Sequence, residues 1–423
     1  MNTSFTNIHT HIFTVNHAPD YFLKTVISNT TLAEWVNKLL QKKGTRWAMK
    51  GALKALTIFS PGKLELVKRY IEFIETGTSV SQEDIFKPLN KYYARFEGGH
   101  KIIVLTQVLD FLDLEQTSTH IRVQTQVEEV CNLKRNALYR DNIYPFLGID
   151  SRQTGFSLLE QWAKKYINTE AGFYGLKIYP AAGFFPFDKR LDEVWKWAAG
   201  NGIPVMTHCT RSGSFYLGRF DSILGSGNFP VESLNENATV MPSIRQRIQN
   251  VGNDTALHKK NRIWCNVFGH PENYIPILEK YPDFKLCLAH LGGSTEVRRS
   301  AFPTEKSEGP AYPDYLNDNW YEHVIALMKK YKNVYSDISY TLSDRKALQA
   351  IIDRFKQPDM VDGWGTPLIK KLMYGTDYYL TQEEEDGDEP GLQKNFLELF
   401  APDQVKALAY DNPGTFLTSL IHP

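Results

Sequence analysis

The stretch NIHTHIF, residues 7–13, is the first of eight short apolar runs in this chain, and it places two histidines two positions apart. In a β-strand the side chains at i and i+2 point to the same side, so His9 and His11 would emerge next to each other. Two adjacent imidazoles can hold one transition metal if further ligands reach the same place. An H-x-H pair alone is a weak signal, because histidine pairs also occur by chance. The remaining ligands must come from the rest of the chain.

Seven further runs have the composition of strands that are buried on both faces. Each is apolar and ends at a turn or a helix breaker, which is typical of a parallel sheet. These runs are KIIVLTQV (101–108), NIYPFLGID (142–150), YGLKIY (174–179), IPVMTH (203–208), KLCLAH (285–290), NVYSDIS (333–339) and KLMYGTD (371–377).

Amphipathic segments separate these runs. Apolar residues recur at i, i+3, i+4 and i+7 in the sets Leu191, Val194, Trp195, Ala198; Tyr274, Ile277, Leu278, Tyr281; and Val324, Leu327, Met328, Tyr331. This period indicates helices. Eight strands, seven of them followed by helical segments, favour a closed (β/α)8 TIM barrel of the α/β class over an open sheet. We therefore predict one domain over residues 1–423.

Two connections are too long for simple crossovers. Residues 18–99 follow the first strand and contain helical patterns, whereas residues 211–262 follow the fifth strand and are rich in Gly, Ser and Asn. In a barrel both insertions would leave the C-terminal face, and we predict that they cap the active site; oligomer contacts are the alternative. The acidic run EEEDGDE (383–389) predicts a solvated loop after the last strand, with a cation site as the alternative.

The bulk composition excludes several function classes. Acidic and basic side chains balance at 48 each, so no net charge directs the protein to nucleic acid or to a membrane. No apolar run approaches the roughly 20 residues of a membrane helix. The first residues do not resemble a signal peptide, and the four cysteines share no C-x-x-C spacing. We expect a cytoplasmic protein with free thiols that acts on a small molecule; a homo-oligomer stays open.

Chemically active residues stand at the ends of the predicted strands. Residues at the C-terminal ends of barrel strands converge on one mouth. The set comprises Lys177 on the fourth strand, His208 on the fifth, His290 on the sixth and Asp377 on the eighth, together with His9 and His11. Neutral imidazoles plus a carboxylate suit Zn²⁺, with Mn²⁺ or Fe²⁺ as alternatives. A lone buried histidine is more often a core residue, but this shared placement favours a metal site.

Lys177 of this set and two residues outside it are candidates for supporting roles. Arg211, three positions after His208, either holds a substrate carboxylate or forms a surface salt bridge. Lys177 either binds an anionic substrate or pairs with a carboxylate. His270 precedes a predicted helix and is a candidate neighbour of the site. Aromatic residues that follow strand ends are candidates to line a pocket for a planar substrate, namely Phe184, Phe185 and Tyr378.

The quoted runs, together with the closing DNPGTFL (411–417), resemble the amidohydrolase superfamily. They are closest to its amidohydrolase-related (amidohydrolase-2) branch of metal-dependent hydrolases and decarboxylases. The resemblance covers nearly the whole chain apart from the two insertions. It implies a TIM barrel in which His9, His11, His208 and Asp377 hold the metal, while His290 acts as the acid/base or substrate-orienting residue.

The sequence departs from this family at one position and leaves another open. The family usually has Asp two residues before the first histidine, where this chain has Asn7. The Asp is not generally a ligand, so the difference concerns the hydrogen bonds that orient the ligands and not the metal itself. Lys177 matches the position where binuclear relatives use a carbamylated lysine to bridge two metals. Two ions are therefore the alternative to the single divalent ion that we predict.

Such a site would make hydroxide available at neutral pH, because a bound cation lowers the pKa of water from about 15.7 toward 7. We predict hydrolysis of an amide, cyclic amide or lactone, with Asp377 sharing the proton and His290 protonating the leaving group. The alternative is non-oxidative decarboxylation of an unsaturated or aromatic acid by the same residues. A non-catalytic barrel is a third interpretation. The sequence contains no G-x-S-x-G, Walker A or G-x-G-x-x-G motif.

Overall fold

Eight parallel strands, paired in chain order, form the centre of the molecule. They are β1 (Phe5–Thr10), β2 (His100–Leu105), β3 (Ile143–Gly148), β4 (Gly175–Ile178), β5 (Val205–Thr207), β6 (Leu286–Leu288), β7 (Val334–Asp337) and β8 (Leu372–Met373). The computed structural model describes residues 4–17, 76–77, 79–109, 117–153, 159–211, 216, 218, 241–254, 261–305, 312–384 and 386–422.

The sheet closes on itself between the first and the last strand. Ile8 N–H donates to Tyr374 O at 3.0 Å, and Asp377 N–H donates to His9 O at 2.9 Å. An isolated parallel bridge joins Thr10 to Tyr378. The eight-stranded sheet is therefore a barrel, and the β8 end is hydrogen-bonded to the strand that carries the histidine pair.

Helices cover the outside of the barrel. They are α1 (Gln82–Tyr93), α2 (Thr117–Arg135), α3 (Leu159–Tyr166), α4 (Asp192–Asn201), α5 (Met241–Asn253), α6 (Asn261–Phe268), α7 (Ile275–Lys280), α8 (Ser294–Ala301), α9 (Trp320–Lys330), α10 (Arg345–Phe355), α11 (Glu389–Leu399), α12 (Pro402–Lys406) and α13 (Asn412–Leu417). Short 3-10 turns include Pro271–Tyr274 and Ala289–Leu291.

Local sequence signals set several of these helix ends. Ser81 and Asp84 form a capping box at the start of α1. Gly202 ends α4 in the left-handed conformation, with φ +64°, as the Asn201-Gly202 pair predicts. Asn319 accepts a hydrogen bond from Glu322 N–H and so begins α9.

The core has two parts, as expected when both faces of each strand are buried. One cluster lies inside the barrel and includes Ile8, Ile103, Leu105, Phe146, Met206, Cys287, Ala289, Tyr335 and Met373. A larger cluster fills the space between the strands and the helices. These layers leave the polar strand ends at one mouth of the barrel.

The predicted TIM barrel is confirmed, and the three helices predicted from apolar period are present as α4, α7 and α9. The strands are shorter than the apolar runs suggest. For example, β8 covers only Leu372–Met373 of the predicted run 371–377. Most of the two predicted insertions, 18–99 and 211–262, lies outside the described residues, apart from α1 and α5.

The prediction for the acidic run 383–389 is wrong at its last residue. Glu389 is buried, with 5% of its surface exposed, and it begins helix α11. The solvated-loop interpretation fails there because hydrogen bonds from distant residues hold this carboxyl group.

Within the described residues, no helix has the length and apolar character that crossing a bilayer requires. All four cysteines are buried and free, in agreement with the prediction from their spacing.

Candidate metal centre

The predicted ligand residues lie together at the C-terminal ends of the strands. His9 is on β1, and His11 follows its last residue. His208 follows β5, His290 lies two residues after β6, and Asp377 lies four residues after β8. His208 is partly buried, and the other four are buried. The barrel thus brings together residues that are up to 368 positions apart in sequence (377 − 9).

The centre of the cluster is one carboxylate oxygen. His9 Nε2 and His11 Nε2 each lie 3.3 Å from Asp377 Oδ1. The two imidazole rings are 5.3 Å apart between centroids, so both present a nitrogen to the same point. This arrangement agrees with the expectation that the H-x-H pair emerges on one side of the strand.

Two atoms in this cluster are buried without a hydrogen-bond partner among the described residues, namely Asp377 Oδ1 and His11 Nδ1. Buried polar atoms are nearly always paired, so unpaired atoms of this kind need an explanation. Two imidazoles and a carboxylate are a donor set typical of Zn²⁺ and other transition-metal sites. The residues present therefore fit a divalent cation.

The other two histidines lie beside this centre. One ligand atom each of His9, His290 and Asp377 lies within 4.8 Å of the other two. His290 Nε2 lies 3.1 Å from His208 Nδ1, so His208 reaches the cluster through His290. His290 Nδ1 faces the carbonyl oxygen of Ser339 at 3.2 Å, and a carbonyl only accepts. In neutral His290, Nδ1 then carries the proton and Nε2 carries the lone pair.

Lys177 points into the same cluster from β4. Its Nζ lies 3.4 Å from His9 Nε2, and 2% of the residue surface is exposed. Burial lowers the pKa of Lys177 to about 8. The structure thus brings Lys177 together with the predicted ligands, with its amino group next to the nitrogen of His9.

A residue that the sequence analysis did not single out orients two of the histidines. Asp337, the last residue of β7, accepts from His9 Nδ1 at 3.1 Å and from His290 N–H at 3.0 Å. Ser339 donates to Asp337 through its backbone N–H at 3.0 Å and through its hydroxyl. Because an ionised carboxylate only accepts, Asp337 fixes the proton of His9 on Nδ1 and leaves the lone pair of Nε2 for a cation.

The electrostatics favour neutral imidazoles and ionised carboxylates. Burial, followed by the charge of Lys177, lowers the pKa of His9 to about 3. Burial also lowers the pKa of His11 and of His208. For Asp377 burial acts to raise the pKa, but the neighbouring histidines outweigh it and hold the pKa below its usual range. These are the protonation states that metal ligands need.

The backbone at two of these residues has an unusual conformation. His290 and Asp377 have φ values of +67° and +62°, a region that non-glycine residues rarely adopt. Such residues cluster at functional sites when the surroundings hold them in place. Gly375 permits this packing, because a Cβ there would lie 2.9 Å from the Cβ of His9.

Arg211 is held by a separate group of residues after β6. Its guanidinium forms an ion pair with Asp318 at 2.5 Å and lies 3.6 Å from Glu296. Asp318 also accepts from His270 at 2.5 Å and from His323 at 2.9 Å. Among the described contacts of Arg211 and of His270, none involves the five residues of the histidine–aspartate cluster.

The aromatic residues suggested for a pocket are mostly part of the core. Phe184 and Phe185 are 4% and 2% exposed, and Phe185 stacks on Phe187 at 4.9 Å. Tyr378 is 9% exposed. The rings in contact with the cluster are others: Tyr179 lies 4.7 Å from His208, and Phe13 lies 5.6 Å from His11, between centroids.

We expect Asp337→Asn to weaken metal binding by about 10–100-fold, because the amide nitrogen donates and disrupts the tautomer of His9. Chelator competition on the folded variant measures this change. Asp353→Asn, at an exposed position on α10, is the matched control and should leave the affinity unchanged. An affinity of Asp337→Asn within about twofold of wild type would contradict the orienting role.

Comparisons with known proteins agree with this fold. Among solved structures, the 5-carboxyvanillate decarboxylase of Novosphingobium aromaticivorans, which contains manganese and 4-hydroxy-3-methoxy-5-nitrobenzoic acid, matches with a TM-score of 0.53 at 10% identity, covering 98% of this chain and 96% of that chain. The 2,6-dihydroxybenzoate decarboxylase from Rhizobium matches with a TM-score of 0.50 at 9% identity and covers 98% of each chain. At these identities the likeness shows the fold alone.

A probable 2-pyrone-4,6-dicarboxylic acid hydrolase from Acinetobacter baumannii, with citric acid bound, matches with a TM-score of 0.46 at 12% identity, covering 99% of each chain. Among curated proteins no sequence matches this chain significantly.

The sequence model of the amidohydrolase-2 family, described as Amidohydrolase, matches residues 162–418, which is more than half of the 423 residues. The matched region contains His208, His290 and Asp377. The structure adds His9 and His11, which precede the match and lie against the same carboxylate. The chain belongs to the amidohydrolase family.

Proposed function

We propose that this protein is a metal-dependent hydrolase that cleaves a C–N or C–O bond of a small, carboxylate-bearing substrate. The observation that carries the proposal is the buried oxygen Asp377 Oδ1, which has two imidazole nitrogens at 3.3 Å and no hydrogen-bond partner among the described residues. An amide, a cyclic amide or a lactone is the class of bond that this chemistry suits.

His9, His11, His208 and Asp377 are the proposed ligands of one divalent cation. Three imidazoles and one carboxylate suit Zn²⁺, and Mn²⁺ is the alternative that metal analysis would reveal. A cation bound here supplies Lewis acidity, which polarises a carbonyl group and lowers the pKa of water. Two ions bridged by a carbamylated Lys177 remain the alternative arrangement.

The side chains then divide the work of proton transfer and binding. Asp377, held as a carboxylate, accepts the proton of the attacking water. His290 lies beside His9 and Asp377, and its Nε2 carries a lone pair in the neutral ring. It would take up the proton that Asp377 has accepted from water and pass it to the leaving group. Lys177 holds the substrate carboxylate as a buried cation. We assign this role to Lys177 alone, because ion pairs with Asp318 and Glu296 occupy the guanidinium of Arg211.

Non-oxidative decarboxylation is the second candidate function. The aromatic rings of Tyr179 and Phe13 against His208 and His11 favour it. Aromatic rings at the site would exclude water and would pack against a planar acid. A carboxylate that is poorly hydrated loses CO₂ more readily, so the exclusion of water favours decarboxylation. In this reaction His290 would first take a proton from water at Nε2 and then protonate the carbon that CO₂ leaves.

The experiment that separates the two functions is a substrate panel on protein with a measured metal content. Lactones, cyclic amides and aromatic or unsaturated acids are incubated with the loaded protein and with the chelated protein. Metal-dependent appearance of ring-opened acid supports the hydrolase, and release of CO₂ supports the decarboxylase. Full metal occupancy with no turnover on either series would favour a non-catalytic barrel.

We expect Lys177→Met to raise KM for a carboxylate substrate by about 10–100-fold, because a hydrogen bond to a charged group contributes about 1.5–3 kcal/mol. The metal content should stay at one ion per chain, and kcat should change less than KM. Steady-state kinetics with metal analysis measure both. A fall from two ions to one in Lys177→Met would instead show the binuclear site, and an unchanged KM would contradict the binding role.

A further inference from the structure

We propose that Asn7 and Glu389 form a matched donor–acceptor pair that sets the distance between His9 and Asp377. The inference rests on the proposed metal site, and it assigns positioning roles to two residues that do not touch the cation. The pair connects strand β1 with the β8 end through the first turn of helix α11.

The carbonyl end of the Asn7 side chain joins the two segments that carry the ligands. Asn7 Oδ1 accepts from His9 N–H and from Thr376 N–H, each at 3.2 Å. One of these amides belongs to a ligand, and the other belongs to the residue before Asp377. A shift of this side chain would therefore move both segments.

The amide end of Asn7 donates to two hydroxyl groups. Asn7 Nδ2 lies 2.9 Å from the Tyr93 hydroxyl and 2.8 Å from the Thr376 hydroxyl. Each hydroxyl continues to a different oxygen of the same carboxyl group: Tyr93 to Glu389 Oε2 at 2.8 Å, and Thr376 to Glu389 Oε1 at 2.6 Å. The four side chains form a closed ring of hydrogen bonds.

The direction of these bonds is fixed by counting hydrogens. Because Oδ1 faces two backbone N–H groups, Nδ2 must face the hydroxyls, and its two hydrogens serve one hydroxyl each. Each hydroxyl then has one hydrogen left to donate to Glu389. An amide at position 7 therefore requires an acceptor at position 389, and the two residues specify each other.

Burial makes this ring sensitive to a mismatch. Asn7, Tyr93 and Thr376 are 0% exposed and Glu389 is 5% exposed, so water is not available to replace a lost bond. With an aspartate at position 7, two carboxylates would compete for the same two hydroxyl hydrogens. With a glutamine at position 389, an amide nitrogen would face a hydroxyl that already donates toward it.

The test compares Asn7→Asp, Glu389→Gln and the double variant with wild type. Metal affinity is measured by chelator competition on folded protein, and the d–d absorption of the Co²⁺-loaded protein reports the ligand geometry. Each single variant should lose about 10–100-fold in affinity and shift the Co²⁺ spectrum. The double variant should lose less than the product of the two single losses. In that variant the new carboxylate at position 7 can accept from both hydroxyls, while the new amide at position 389 donates to one of them.

Controls separate positioning from general damage to the fold. Glu398 lies on the same helix as Glu389 and forms an exposed ion pair with Arg345. Glu398→Gln should change neither the metal affinity nor the Co²⁺ spectrum. Thr376→Val removes the hydroxyl that accepts from Asn7 and donates to Glu389. This variant is used instead of Asn7→Asp if the latter does not fold. Thermal unfolding of the metal-free proteins shows how much of each effect is stability alone.

The outcomes distinguish this inference from the proposed function. If wild type binds no divalent metal, the proposed function fails. If wild type binds metal while Glu389→Gln and Thr376→Val retain its affinity within about twofold, the positioning role is overturned. If the losses in the double variant simply multiply, the two residues act independently and the matched pair is overturned.

Discussion

We expect the Asp377→Asn variant to lose metal binding and turnover together while it keeps its fold. The carboxylate presents Oδ1 to His9 Nε2 and His11 Nε2, each at 3.3 Å, and is the proposed anionic ligand. An amide of the same shape provides a neutral oxygen and cannot accept the proton of water. Loss of a general base typically costs about 10²–10⁴-fold in rate, so we expect kcat/KM to fall by about 10³-fold or more.

The stability of Asp377→Asn should depend on the metal in a characteristic way. Without metal, wild type buries an oxygen that has no hydrogen-bond partner among the described residues, whereas the amide introduced at position 377 would donate to a histidine nitrogen. The variant also loses the favourable interaction of the ionised carboxylate with its neighbours, so the two metal-free proteins should differ little in stability. Metal at about 100 times Kd should stabilise wild type by about 2.7 kcal/mol and the variant hardly at all.

Asp386→Asn is the matched control for this experiment. Asp386 also has a positive φ, +53°, and it is exposed in the loop before α11. Asn tolerates this backbone conformation as well as Asp does, so the control isolates the effect of the charge. Metal titration monitored by thermal unfolding gives both results. Full metal stoichiometry with wild-type turnover in Asp377→Asn would remove the basis of the proposed function.

The barrel itself was predictable because apolar residues recur along the sequence with the periods of strands and helices. Apolar runs such as KLCLAH and the i, i+3, i+4, i+7 spacing in the intervening segments each reflect burial of a local element, which the sequence records directly. The exact pairing was less predictable. β8 is two residues long, and the backbone after it is held by Asp377 N–H to His9 O rather than by regular pairing with β7.

The meeting of the proposed ligands at one mouth of the barrel was predictable for a related reason. In a barrel, position along a strand determines position in space, so polar residues at several strand ends must meet. The same rule applied to NVYSDIS would have found Asp337, the last residue of β7. The apolar character of that stretch indicates only a strand, but its aspartate follows the same pattern as His208 and His290.

The supporting residues were harder to predict, because their environment depends on contacts distant in sequence. Glu389 lies in an acidic run that locally indicates solvent, yet its partner Tyr93 is 296 positions away. Arg211 follows a proposed ligand, His208, and resembles a substrate-binding residue, but Asp318, 107 positions later, holds it. No local pattern records such pairs.

We expect His208→Ala and His290→Ala to separate ligand binding from proton transfer. His290 Nδ1 donates to the carbonyl oxygen of Ser339, so His290 Nε2 is left to accept. His208 Nδ1 lies 3.1 Å from that Nε2 and therefore donates to it. This order places the lone pair of neutral His208 on Nε2, the nitrogen that would bind the cation. His208→Ala should therefore lose metal and activity together. Its loss of metal affinity should exceed about 100-fold, the largest loss expected when only a supporting residue is removed.

His290→Ala should keep its metal and lose turnover, because it removes the proposed proton donor and spares the ligands. We expect kcat to fall by about 10²–10⁴-fold, and metal analysis of the same preparation should still give one ion per chain. Complete loss of metal would make His290 the ligand, as its place beside His9 and Asp377 allows. A fall from two ions to one would reveal the binuclear centre with Lys177, and either result would reassign the proton donor.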